Sequence, residues 1–125
     1  MDFLDFNLAE KLKEKGFPQH WSDQHYILEN EYEDDFFEVG AKYPVEVIYD
    51  YIPTIAAPTI SQVLKWLREE KKIYLELVIV VDTDYMCDIY KIDARPIECL
   101  GSTAYFKTYE QAAIAGIEYT LDNLI

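Results

Sequence analysis

Thr59-Ile60-Ser61-Gln62-Val63-Leu64-Lys65-Trp66-Leu67-Arg68-Glu69-Glu70 leads, after Lys71-Lys72, into Ile73-Tyr74-Leu75-Glu76-Leu77-Val78-Ile79-Val80-Val81. In the first part Ile60, Val63, Leu64 and Leu67 fall on one stripe of a helix, with Lys65, Arg68, Glu69 and Glu70 around the rest. Thr59 and Gln62 open it as a capping box. The hydroxyl accepts from an orphan amide of the first turn, and the glutamine reaches back to the cap's own amide. In the second part the period drops to two. Ile73, Leu75, Leu77, Ile79 and Val81 make one apolar face, while Tyr74, Glu76, Val78 and Val80 make the other polar at one end and apolar at the other. Asp82-Thr83-Asp84 reads as a turn and Tyr85–Ile92 as the returning strand, so this stretch is a helix feeding a β-hairpin.

Downstream, Arg95-Pro96 breaks the second strand, and a third is expected at Ile97–Leu100 or Ala104–Phe106. Thr108 and Gln111 form another capping box. The helix that follows, about Tyr109 to Asn123, turns Ala113, Ile114, Ile117, Leu121 and Leu124 inward. Ala112, Ala115 and Gly116 form a small-residue patch. A glycine in mid-helix costs about 1 kcal/mol against alanine, so Gly116 marks a close approach to a neighbouring element.

Upstream, Asn7 and Glu10 give a third capping box, predicting a helix over Phe6–Lys15 that Gly16 caps and Pro18 stops. The aromatic stretch beyond it reads as strands near Tyr26–Asn30 and Val45–Tyr51, with a third around Phe36–Val39. Ile52–Pro58, with two prolines among small residues, reads as a linker. The expectation is a single α+β domain over residues 1–125, with an acidic helix-plus-strands portion (1–57) and a helix-hairpin-strand-helix portion (58–125). It combines an antiparallel sheet of about three to five strands with about three helices, two of them packed mainly on one face.

Charge excludes more than it selects. Twenty-four acidic residues against eleven basic leave a formal net charge of −13 in 125 residues. Residues 1–57 hold 13 acids and 4 bases, net −9, and residues 58–125 hold 11 and 7, net −4. The second portion has the α-β-β-β-α order of double-stranded-RNA-binding domains. Its charge argues against that use, because phosphate affinity comes from clustered Lys and Arg. Direct binding to nucleic acid or anionic membrane is therefore not expected, whereas a basic protein surface would be attracted. Two cysteines, Cys87 and Cys99, are too few for a disulfide framework. No secretion signal or membrane span is read, so a soluble, reduced, cytoplasmic protein is expected.

Little in the chain reads as chemistry. His20 and His25 have no further ligands at zinc-site spacing. Cys87 and Cys99 fall in expected strands, where free cysteine is usually a small buried hydrophobe, and neither histidine is near in sequence to activate them. Asp82, Asp84 and Asp88 resemble the opening of a calcium loop, but Cys87 and Asp93 stand where its glycine and glutamate belong. There is no phosphate-binding glycine loop and no nucleophile elbow. No enzyme activity, cofactor or metal is expected.

Three blocks, Leu8–Phe17, Ala57–Glu69 and Phe106–Ile117, resemble a group of small phage and prophage proteins of Bacteroides-type gut bacteria. That group has no assigned activity or cofactor. The resemblance implies an intracellular, mobile-element setting and transfers no site residue.

The expected role is that of a small acidic, non-enzymatic module that binds another protein, masking a basic surface by presenting carboxylates where phosphates would lie. The candidate contact residues are Trp21, Glu31, Tyr32, Glu33, Asp34, Asp35 and Glu38, with Trp66 as either an exposed anchor or a core residue. The alternative is a self-associating structural or accessory protein, a homodimer in which the charge only solubilises.

Overall fold

The computed structural model describes residues 3–28, 44–46, 53–81 and 83–125. The chain forms two compact units, Met1–Thr59 and Ile60–Ile125. The class is α+β. Among the described residues there are three α-helices and two three-stranded antiparallel sheets, rather than one larger sheet.

In the first unit, α1 (Phe6–Glu14) is capped by Asp5 and not by Asn7, the Asp5 carboxylate accepting from the Leu8 amide at 2.9 Å. Starting there makes Phe6 helical, and its ring sits edge-on to Tyr26 at 5.7 Å. That tertiary contact selects between two usable caps. At the other end, Gly16 adopts φ +94°. Its amide bonds to the Lys13 carbonyl (3.0 Å) and the Phe17 amide to that of Leu12 (2.9 Å), the Schellman arrangement expected of a C-cap glycine.

A 3₁₀ turn (Gln19–Trp21) leads into β1 (Gln24–Ile27), the central strand between β2 (Val45–Glu46) and β3 (Thr54–Ala56). The supposed linker is thus partly a strand. Ile55 pairs with Tyr26 and is buried, together with Ala56 and Ala57. Pro53 and Pro58 flank the strand without entering it, where their missing amides cost no ladder bond. Ala9, Tyr26, Ile55 and Ala57 form the local core, with the Tyr26 hydroxyl donating to the Leu4 carbonyl at 2.6 Å. The expected strand around Phe36–Val39 and the rest of Val45–Tyr51 lie outside the described residues.

The second unit follows its sequence pattern closely. α2 (Ile60–Glu70) begins directly after Thr59, and β4 (Ile73–Val81) and β5 (Asp84–Lys91) form the hairpin. β6 (Glu98–Ser102) adds the third strand in the order β4-β5-β6. The alternative third strand at Ala104–Phe106 survives as a single bridge between Phe106 and Tyr85. α3 (Tyr109–Asn123) is capped by the Thr108 hydroxyl, which accepts from the Gln111 amide at 3.1 Å.

α2 packs on β4, α3 on β4 and β5, and the two helices on each other. Ile73, Leu75, Cys87 and Ile89 are buried on the helix side of the sheet. Gly116 allows the close approach its position predicts: a Cβ there would lie 2.6 Å from the Cys87 sulfur. One expectation fails at the far end of β4. The odd-numbered face is buried at Ile73 and Leu75, but Ile79 is 65% and Val81 63% exposed. The buried odd positions end at Leu75, with Leu77 half-buried, so the cover over β4 stops part-way along a strand that rises about 30 Å.

Candidate interaction surface

The even-numbered face of β4 and its neighbours is the side without helices among the described residues. Its rows follow from the register. Glu76 stands opposite Asp88, which stands opposite Ser102; Tyr74 stands opposite Tyr90, which stands opposite Cys99; Val78 stands opposite Met86. Tyr74, Glu76, Cys99 and Ser102 are exposed, and Val78, Met86, Asp88 and Tyr90 half-buried.

Two carboxylates facing each other across a strand pair repel, so this row destabilises the free sheet. Partial relief comes locally: the Ser102 hydroxyl donates to Asp88 Oδ1 at 2.7 Å. Beside it, desolvation followed by the charges of Asp88 and Glu76 pushes the pKa of the Tyr90 phenol up. The result is an acidic row bordered by two tyrosines on one side and an apolar pair on the other.

Of the candidate contact residues, Trp66 is resolved against the surface role. It is 1% exposed in the core, with the Lys71 ammonium 5.4 Å from its ring centroid, so it is a core residue and not an exposed anchor. Trp21 is half-buried in the 3₁₀ turn, edge-on to Phe17 at 5.9 Å. Glu31, Tyr32, Glu33, Asp34, Asp35 and Glu38 lie outside the described residues, as does Asp82.

The remaining titratable groups are engaged structurally. His25 lies on the central strand rather than at an edge, with Nε2 3.0 Å from the Ser22 carbonyl and Nδ1 3.1 Å from the Thr54 hydroxyl. Both bonds fit one neutral tautomer, protonated on Nε2. Burial lowers its pKa, opposed by the Ser22 bond and by Asp23. His20 is exposed. Cys87 is fully buried and its thiol pushed up to about 12 by desolvation and then by Asp88, which leaves it un-ionised and inert near neutrality. Cys99, expected to be buried, is exposed: the register sets it opposite Tyr90 on the open face. Asp84 is held by Lys107 at 2.7 Å and Asp88 by Ser102, so these two side chains serve separate local bonds. Among the described residues no three His, Cys, Asp or Glu side chains converge as metal ligands.

No protein-family model, curated protein or solved structure matches this chain. Among the described residues no helix is long and apolar enough to cross a membrane.

The acidic row was legible only in part. The sequence pattern assigns Glu76 to the polar end of the second face of β4, but pairing it with Asp88 needs the hairpin register, which sequence spacing alone left open.

Proposed function

We propose that this chain is a small non-enzymatic module, of phage or prophage origin and acting inside the cell, that binds a basic surface of another protein. The observation that carries the reading is the open sheet face, where Glu76 and Asp88 stand side by side, next to the Tyr74–Tyr90 pair, in a chain of net charge −13. Such a row costs stability in the free protein and is relieved by an incoming Lys or Arg. The tyrosines supply amphipathic contact area of the kind favoured at interface centres. A partner surface that otherwise binds phosphates would suit such a row and the net charge of −13.

The test is affinity purification from the host, with the captured protein identified and its release followed over a salt series and on adding duplex DNA. The expected partner is basic, released by rising salt and displaced by DNA. Capture indifferent to both would refute the masking role. A second reading, self-association, draws on the exposed Ile79 and Val81. A stable dimer at low concentration that captures no other protein would favour it.

A further inference from the structure

Among the described residues β4 is an edge strand in the order β4-β5-β6, and it runs for nine residues. Natural edge strands are guarded against pairing with other chains by prolines, lysines, bulges or short length. β4 has no proline and no lysine, and its one charged side chain is Glu76. Its register with β5 is regular from Ile73 to Ile79, the irregularity coming only between Ile79 and Val81. Leu77-Val78-Ile79-Val80-Val81 is an unbroken apolar run rich in β-branched residues, the composition that pairs most readily with an added strand. Ile79 and Val81 are exposed at 65% and 63%, so the end of the strand lacks cover on the very face that is buried further back.

We propose that β4 accepts an extended basic segment of another protein as an added strand, with a Lys or Arg opposite Glu76 and apolar side chains beside Leu77 to Val81. The proposal rests on the protein-binding reading and gives it a mode: main-chain pairing for affinity, Glu76 and Asp88 for selectivity. Charge decides between a basic segment and a second copy. In antiparallel self-pairing centred on Leu77, each Glu76 would face Val78 of the other chain. The two Glu76 carboxylates would then lie diagonally, about 7–8 Å apart at the backbone and on one face. Each has Asp88 beside it, and both chains carry −13. A basic strand turns each of these repulsions into an attraction.

The probe is a capped peptide of alternating valine and lysine, about eight residues long to match a typical strand. Amide hydrogen exchange in the full chain is followed by NMR. In the free chain every second amide between Tyr74 and Val80 should exchange fast, and the peptide should slow these about tenfold or more. The same peptide N-methylated at alternate residues should not slow them, nor should a valine–glutamate peptide. Ile79→Lys, at an exposed position, should leave the melting temperature unchanged and abolish the slowing. Full protection of β4 amides in the free chain, or no slowing by the valine–lysine peptide, overturns strand addition. Equal binding of the N-methylated peptide overturns it too, while leaving attraction for basic partners standing. A dimer whose β4 amides are protected by self-pairing would replace the basic segment with a second copy and overturn the proposal.

Discussion

A Cβ added at Gly116 would lie 2.6 Å from the Cys87 sulfur and 3.0 Å from a Leu75 methyl carbon. Gly116→Ala therefore sets a helix-propensity gain of about 1 kcal/mol against overpacking of a closed helix–sheet contact. The clash should win. Urea denaturation is expected to show a net loss of about 1–3 kcal/mol with an unchanged m-value. Adding Cys87→Ala should recover part of that loss, because the two sites share one contact and their effects are not additive. His25 makes the second residue-level prediction. Its folded pKa lies below the unfolded value of 6.5, so below about pH 6.5 the unfolded chain binds more protons than the folded one. The stabilisation from keeping the ring neutral is complete above pH 6.5 and is lost as pH falls toward the folded pKa. His25→Gln should flatten that part of the stability–pH curve. An identical acid-side slope in wild type and variant would mean that His25 does not contribute.

At the scale of elements, what the sequence disclosed follows from how much tertiary context each signal needs. The Thr108 cap and the Gly16 cap are local signals: the Thr108 hydroxyl accepts from the Gln111 amide as read, and Gly16 takes the left-handed conformation. Asp5 and Asn7 are competing local signals, and the Phe6–Tyr26 contact decides between them. Asp5→Ala should accordingly cost about 1 kcal/mol of stability and Asn7→Ala only a few tenths, measured by denaturant unfolding. Equal losses would restore Asn7 as the cap. β3 spans only Thr54–Ala56, too short to show any period, and it is visible only through its pairing with β1. β4 was legible in full as a strand. The cover over its apolar face was not, because alternation records which residues share a face and says nothing of how far the helices reach. The same gap hid the acidic row: Glu76 and Asp88 are twelve positions apart in sequence and adjacent only once the hairpin register is set. Trp66 lies beside the apolar stripe of α2, where rotation alone leaves core and surface both open; its burial belongs to packing.

For the whole molecule, two units with a combined net charge of −13 repel themselves most strongly at low ionic strength. Raising salt from about 0.01 to 0.15 M shortens the screening length from about 30 to 8 Å. The melting temperature should rise by a few degrees over that range, and a flat profile would indicate that the acidic side chains are locally compensated. Screening acts in the opposite sense on binding, since the same salt weakens attraction for a basic partner. The most direct measurement of the central claim is hydrogen exchange on the chain bound to the host protein it captures. Protection is expected to centre on Tyr74 to Val80 and on the row joining Glu76, Asp88 and Ser102, and to diminish as salt releases the partner. Protection confined to α1 or to the helix faces of α2 and α3, with β4 unchanged, would contradict it.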